Sequence, residues 1–327
     1  MGFYIDMINV GQGDSFLLTL DSSTAGIGYV LIDGGPAKTS DTLVKHLQTI
    51  TSGCIHLLIV THLDADHIGG LKAVLEKIDV KNVMINIPGN MNDWLSARDR
   101  LKEIGKKVES IRKIEENIST ANELFDFIID KDISFEPALA GKAKRHGEDI
   151  ELKILNPTNE RLQNAWADEL LKETVNGLVF GQSDAPSTSP RNNASVVMEL
   201  VYKGSPYALF TADAGADVIK EVTRGQQYEF LKLPHHGGKT GMDEELIKQI
   251  SPKTVYLPVG ENPHGHPATE VLDMIKKVGA KTYCSNRTTN CRRACSYQGF
   301  GNICHLKDKD GRPDWNTVDS KKCVNNQ

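Results

Sequence analysis

The chain holds no apolar run long enough to cross a bilayer, so no helical membrane anchor and no membrane partner are expected of it. Its opening residues, Met1-Gly2-Phe3-Tyr4-Ile5-Asp6, lack the basic and apolar regions of a secretion signal, and a cytoplasmic location is expected. Positive charge is not in excess. With 38 Lys and Arg against 43 Asp and Glu the net charge is -5, so no global field draws nucleic acid or anionic lipid to the surface, and a polyanionic substrate must be held locally. Aromatic residues make up 6% of the sequence, which leaves few stacking platforms for single strands. No Cys-x-x-Cys pair occurs. Cys54 stands alone, whereas Cys284, Cys291, Cys295, Cys304 and Cys323 crowd residues 284–327. That tail is compatible with free thiols in a reduced protein, with a small zinc or redox site including His305, or with a disulfide.

The 327 residues suffice for one large domain or two small ones, and a hydrophobic content of 39% is ample for a packed core. There is no internal repeat and no stretch that reads as an interdomain linker. We therefore expect a single domain over 1–327, with a polar loop insertion at 158–190 and a cysteine-containing extension at 284–327.

Strand patterns recur along the chain, and polar clusters follow them. Phe3 to Val10, Ser15 to Leu20 and Tyr29 to Ile32 read as strands separated by glycine turns, and Asp41 to Ile50 as a helix. Apolar Ile55 to Val60 then runs into Thr61-His62-Leu63-Asp64-Ala65-Asp66-His67-Ile68-Gly69-Gly70, followed by helical spacing from Leu71 to Ile78. Further on, the strand Tyr207 to Thr211 ends at Asp213, Phe230 to Leu233 ends at Pro234-His235-His236-Gly237, and Thr254 to Val259 ends near Asn262-Pro263-His264-Gly265-His266. Strands that all deliver Asp, His or Asn at their C-terminal ends gather those side chains into one cleft.

The segment from His62 to His67 supplies four metal-ligand side chains in six residues. Neutral imidazole and carboxylate suit zinc, manganese or iron(II), and two donors at each of two positions can hold a pair of ions a few Å apart. The structural alternative is that Asp64 and Asp66 cap the next helix and that the histidines are ordinary surface residues. Asp14 and Asp33 follow glycine turns at strand ends. For Asp33, orienting a metal-bound histidine and stabilising a turn are equally compatible with the sequence. His46, His56 and His146 lie away from the motif ends and read as structural or surface residues.

Taken together, Val10-Gly11-Gln12-Gly13-Asp14, Leu31-Ile32-Asp33-Gly34-Gly35, His62-x-Asp64-x-Asp66-His67-x-Gly69-Gly70, Thr211-x-Asp213-Ala214 and Leu233-Pro234-His235-His236-Gly237 resemble the metallo-β-lactamase superfamily. More narrowly, they resemble the branch typified by the C-terminal metallohydrolase domain of the DNA-uptake channel protein ComEC. The resemblance implies a mixed α/β fold, a four-layer αββα sandwich, with two divalent ions, zinc or manganese, at one edge. It implies His62 and Asp64 as ligands of the first ion, Asp66 and His67 of the second, Asp213 bridging both, and His235 completing the second. Many members place a further histidine on the first ion, where this chain has Asn192-Asn193-Ala194-Ser195. Asp64, where many relatives have histidine, shifts preference toward harder ions such as manganese. Asp66, His236, Asn193 and His266 are the residues expected to take part in catalysis, by handling the proton or the phosphate oxygens. The function so implied is a metal-dependent phosphodiesterase or nuclease acting on a phosphodiester partner, DNA first among them. Hydrolysis of a small phosphodiester (a cyclic nucleotide or a phosphorylcholine-like group) and a non-catalytic metal-stabilised binding module are the alternatives.

Overall fold

Side chains alternate along the first three strands, β1 (Gly2–Met7), β2 (Phe16–Ser22) and β3 (Gly26–Ile32), which form an antiparallel meander. The computed structural model describes residues 2–86, 109–165, 188–286, 288, 303–307 and 313–314; for 109–118, 303–307 and 313–314 the description is of the backbone. Phe3, Ile5, Met7, Phe16, Leu18, Val30 and Ile32 point to one face, while Leu17 and Leu31 point to the other. Both faces are apolar, so this sheet must be covered on both sides.

The apolar run expected as one strand from Ile55 to Val60 is divided into β4 (Cys54–Ile55) and β5 (Leu57–Ile59). His56 breaks it by bonding sideways: its backbone N–H donates to the Tyr29 carbonyl at 3.0 Å, and its Nδ1 accepts from the Tyr29 N–H at 3.1 Å. β4 pairs with β6 (Asp79–Val80), whereas β5 joins the main sheet in parallel with β3 and β7 (Asn82–Met84), and β8 (Ser134–Glu136) closes that edge. The second sheet comprises β9 (Ala143–His146), β10 (Ile150–Asn156), β11 (Val197–Tyr202), β12 (Ser205–Phe210), β13 (Phe230–Lys232), β14 (Thr254–Leu257) and β15 (Lys281–Cys284), in the order 15-14-13-12-11-10-9. Two late strands, β16 (Ile303–Lys307) and β17 (Pro313–Asp314), extend the first sheet, whose order is 17-16-1-2-3-5-7-8.

The sheets share one core. Phe3, Phe16, Ile59 and Met84 of the first pack with Leu152, Met198, Phe210, Phe230 and Tyr256 of the second. On the outer face of the first sheet, Leu43 and Leu47 of helix Ser40–Thr51, Val74 of Leu71–Lys77, and Leu124 and Ile128 of Glu109–Asp130 build a second apolar cluster. On the outer face of the second, Ile219, Leu246, Ile250, Val271 and Ile275 come from helices Ala216–Thr223, Glu244–Ile250 and Thr269–Lys277. The result is the four-layer αββα arrangement. Burial of each such Leu, Ile or Phe contributes about 1.5–3 kcal/mol, so the three clusters hold the layers while the strand ends carry polar residues. β5, β12, β13 and β14 each end toward the same edge of the sandwich, and the loops that follow them meet there. Residues 166–187 of the polar segment and the cysteines Cys291, Cys295 and Cys323 lie outside the described residues.

Candidate metal centre

The loop after β5 is fixed by Asp33. Its Oδ1 accepts from the Thr61 N–H at 2.8 Å, its Oδ2 from the Thr61 hydroxyl at 2.6 Å, and His67 Nδ1 lies 2.8 Å from the same Oδ2. The carboxylate therefore accepts from the Nδ1–H of His67, which leaves Nε2 aimed inward, 3.5 Å from Asp213 Oδ1. Asp33 reaches this position with a left-handed backbone, φ +57°, which costs an ordinary residue about 1–2 kcal/mol and is offset here by its hydrogen bonds. The geometry gives Asp33 both roles left open by the sequence: it braces the turn at Thr61 and orients the ring of His67. Asp33→Ala is expected to weaken divalent-cation affinity by about 10–100-fold, as loss of such outer partners does elsewhere. Competition against a chromophoric chelator measures it, and unchanged affinity in the folded variant refutes the role.

Asp64 occupies the N-cap position of the one-turn helix Ala65–Ile68, yet its side chain makes no capping hydrogen bond. The capping explanation for this carboxylate fails. Its Oδ2 lies instead 3.8 Å from His62 Nε2, and its Oδ1 lies 3.6 Å from the Arg191 guanidinium. His62 Nδ1 is 3.1 Å from the Thr61 hydroxyl, and its ring sits 4.0 Å from that of His67. The Gly11-Gln12-Gly13 turn closes against this loop so tightly that a Cβ at Gly13 would stand 2.2 Å from the Asp66 carbonyl, while the Asp14 N–H donates to that carbonyl at 3.2 Å.

The second sheet supplies the rest. Asp213, nearly buried after β12, brings Oδ2 to 4.0 Å from His62 Nε2, 3.8 Å from His235 Nε2 and 3.6 Å from His236 Nε2. His235 and His236 both hold left-handed backbone, φ +49° and +50°, in the short turn Pro234–Gly237 that swings their rings to different depths. His236 is buried; its Nδ1 lies 2.9 Å from the Pro258 carbonyl, and its Nε2 lies 3.2 Å from Asp66 Oδ2. His235 is 27% exposed and faces His266, ring to ring at 5.3 Å. The histidine expected to act in catalysis is thus the deeper one, and the histidine expected as a ligand lines the cleft.

Four atoms in this cluster, His62 Nε2, His67 Nε2, His236 Nε2 and Asp213 Oδ1, are buried without a hydrogen-bond partner among the described residues. Orphaned polar atoms are costly, about 1–3 kcal/mol each, and these all face one another. Donors from His62, His67 and Asp213 lie within 4.8 Å of one another, as do donors from Asp14, His67 and His236. The first set turns its orphaned atoms toward one another and offers donors to divalent cations. The second is better read as the floor of the centre: Asp14 Oδ2 is taken by Lys232 at 2.5 Å, and the Nδ1 atoms of both imidazoles face Asp33 and Pro258.

Electrostatics agree. Burial alone would hold His67 and His236 down, but Asp213 and Asp14 outweigh it, raising His67 well above its ordinary value and pushing His236 up to about 10. Burial would raise Asp213, yet His236 and His67 hold it well below the carboxylate range. The buried imidazoles and Asp213 thus favour one another's charged forms.

Two asparagines near the cleft are engaged in bracing their loops. Asn193 Oδ1 accepts from the Gly215 N–H at 3.1 Å, and its Nδ2 lies 3.5 Å from the Thr188 carbonyl, so it braces the loop. Asn262 ties its own loop together, accepting from the N–H groups of His264 and His266 and donating to the carbonyls of Gly260 and His266. That loop presents His264 and His266 to the cleft. His46, His56 and His146 bond to Asp6, Tyr29 and the Gly26 carbonyl, away from the cluster. Sequence reasoning missed Lys232 and Arg191. The signal for Lys232 was present: it stands two residues after Phe230 on one strand and therefore shares the face that looks into the core.

Strand ends from two facing sheets that deliver imidazole and carboxylate to one cluster define a metallohydrolase fold. The chain belongs to the metallo-β-lactamase superfamily, whose family model matches residues 8–261. It is similar to ComE operon protein 3 of Bacillus subtilis (strain 168), a ComEC-like protein, with 25% identity over 293 residues, 84% of this chain and 30% of that protein. The chain thus spans under a third of that relative's length. Among solved structures it is similar to Igni18, a metallo hydrolase of the archaeon Ignicoccus hospitalis KIN4/I, with 14% identity, 93% of this chain and 100% of the other covered, and a TM-score of 0.47. A diphosphatase of the PhnP family matches at 12% identity over 92% and 97% of the two chains, with a TM-score of 0.40.

Proposed function

We propose that the protein is a metal-dependent phosphodiesterase, with DNA as the leading substrate. The observation that carries this reading is the set of inward-facing orphaned nitrogens and carboxylate oxygen, of whose residues Asp213 and His236 line a cleft of about 1250 Å³. His62, Asp64 and Asp213 would hold one cation, and Asp66, His67, His236 and the shared Asp213 the other. His236 takes the ligand role assigned above to His235, because its Nδ1 is fixed by a backbone carbonyl and its Nε2 points at Asp66. Two such cations, when bound, supply an activated water near neutral pH and neutralise charge on a phosphoryl group. Carboxylate-rich donor sets favour harder ions, manganese before zinc.

The remaining residues bind and orient. Burial lowers the pKa of His235, and it lowers His266 to about 4, helped by the neighbouring imidazoles. Both rings are neutral at pH 7, so they serve as hydrogen-bond partners of a phosphoryl or leaving-group oxygen rather than as stored protons. Asn262 preorganises the loop that carries His266. DNA is suggested by the likeness to the ComEC-type domain. Glu261 on the cleft wall favours the second reading, a small phosphodiester, because it repels a long polyanion.

Stripping the protein with a chelator and reloading it with manganese or zinc tests the proposal. Turnover of single- or double-stranded DNA, or of bis(4-nitrophenyl) phosphate, is expected to vanish with the metal, return on reloading, and be lost in Asp66→Ala. A metal-loaded wild type inactive on all three substrates defeats it; turnover of the small ester alone selects the second reading.

A further inference from the structure

We infer that Gln12 is a positioning residue whose side-chain carbonyl ties the loop of Asn262 and His266 to the turn behind Asp66, and so fixes where the His266 ring stands in the cleft; the inference rests on the phosphodiesterase reading. Gln12 sits in the turn between β1 and β2, whereas Gly260 follows β14 of the other sheet. Its Oε1 accepts from the Gly260 N–H at 3.0 Å. The two backbones close tightly around this bond, since a Cβ at Gly260 would stand 2.3 Å from the Gln12 nitrogen and 2.4 Å from the Gly11 carbonyl carbon. Only glycine allows that approach.

The turn that holds Gln12 is itself fixed. The Gly11 N–H donates to Asn9 Oδ1 at 3.1 Å, the Val10 carbonyl accepts from the Thr39 hydroxyl at 3.1 Å, and the Asp14 carbonyl accepts from the Gly35 N–H at 2.8 Å. Gly13 is pressed on the Asp66 carbonyl, so this turn and the loop of Asp66 form one frame. Gln12 extends that frame across to the second sheet.

What it holds there is the entry to the His266 loop. Val259 is bonded on both sides by Ser285, whose buried hydroxyl accepts from its N–H at 2.9 Å and donates to its carbonyl at 3.1 Å. One residue on, Gly260 donates its N–H to Gln12, and its carbonyl accepts from Asn262 Nδ2 at 2.8 Å. Asn262 passes the constraint along: the same Nδ2 donates to the His266 carbonyl at 2.8 Å, and its Oδ1 accepts from the His266 N–H at 3.0 Å. At the far end the Ala268 N–H donates to the Gly237 carbonyl at 2.9 Å, and the His266 ring lies against Gly238, where a Cβ would meet its Cε1 at 2.7 Å. His266 thus stands between an anchor beside Asp66 and an anchor beside His236. Such bracing matters for rate, because a misplacement of about 1 Å in a group that meets the reacting oxygens costs about 10²-fold.

The experiment follows hydrolysis of bis(4-nitrophenyl) phosphate by metal-loaded wild type, Gln12→Met, Gln12→Asn, Gln12→Glu, His266→Ala and the double variant Gln12→Met with His266→Ala, together with bound metal and amide hydrogen exchange across 259–268. Methionine keeps the shape and loses the acceptor, asparagine is too short to reach, and glutamate keeps an acceptor oxygen in place. Gln12→Met and Gln12→Asn are expected to lower kcat by about tenfold or more, with KM within about threefold, metal content preserved and faster exchange at Gly260 and His266. Gln12→Glu is expected to recover most of the turnover and the protection. In the His266→Ala background, Gln12→Met is expected to cost less than about twofold, because a residue that acts through another adds nothing once the other is gone. Wild-type kcat or unchanged exchange in Gln12→Met, or an undiminished loss in the His266→Ala background, overturns the inference and leaves the phosphodiesterase reading standing. A metal-loaded wild type that turns over no diester removes both. Should the methionine variant fail to fold, the asparagine variant decides by the same criteria.

Discussion

Asp213→Ala is expected to abolish stoichiometric metal binding and to reduce kcat/KM on a phosphodiester by about 10³-fold or more, equivalent to about 4 kcal/mol of transition-state stabilisation. No other carboxylate among the described residues reaches so many imidazoles of the cluster. Its two oxygens lie between 3.5 and 4.0 Å from Nε2 of His62, His67, His235 and His236. Alanine leaves both proposed cations short of a shared ligand and removes the carboxylate foremost in raising the pKa of His67 and His236. A pH signature follows in the metal-free protein. A raised imidazole pKa contributes stability that is complete below the unfolded value of about 6.5 and is lost as pH rises through the folded value, about 10 for His236. Metal-free wild type is therefore expected to lose stability between about pH 6.5 and pH 10, and Asp213→Ala to show a flatter profile. Elemental analysis, steady-state kinetics and denaturant titrations across that range provide the measurements. A variant that retains two metals and wild-type turnover would sink the bridging role.

How far the sequence could reveal this centre depended on whether a residue had any apolar reason to be where it is. Asp213, His62 and His67 follow buried strands and have none, so their convergence was readable from strand ends alone. The strands β1 and β2 were legible from their apolar runs between glycine turns, whereas the four-layer arrangement came from the resemblance. Adjacent His235 and His236 were harder. Which ring turns inward is decided by two consecutive left-handed residues after Pro234, a backbone feature that carries no side-chain signature. Asn193 was expected at the phosphate because amides bind oxyanions, but the Gly215 N–H needed an acceptor and took it. The continuous run from Ile55 to Val60 hid a break, since His56 satisfies the Tyr29 backbone with its ring rather than continuing the ladder. Arg191 lay next to the expected segment and was passed over because arginine in a polar loop ordinarily faces solvent.

Lys232 is the residue whose loss should cost the fold most. It is 1% exposed, and its ammonium meets Asp14 Oδ2 at 2.5 Å, the Ala212 carbonyl at 2.6 Å and Asp213 Oδ1 at 3.7 Å, directly beneath the imidazoles. An interior cation this close to two proposed divalent ions is electrostatically adverse unless it answers a carboxylate that the ions cannot reach. Asp14 is that carboxylate: it is buried below His67 and His236, with its Oδ1 3.2 Å from His236 Nδ1. Burial would raise its pKa, but Lys232, followed by His67 and His236, holds it below its ordinary value of 3.8. Lys232→Met preserves the apolar stem and strands the charge, so a loss of about 3–5 kcal/mol is expected. Because a depressed carboxylate pKa contributes stability above its unfolded value that disappears as pH falls through the folded value, the variant should also unfold at higher pH during acid titration. Lys232→Met with Asp14→Leu removes both members of the pair and is expected to recover most of the loss, since an apolar replacement of a buried ion pair is often close to neutral. Denaturant melts of the two single variants and the double variant measure the coupling. If the double variant is as unstable as the sum of the singles, Lys232 is not there to answer Asp14, and the floor of the centre is organised by some other balance of charge.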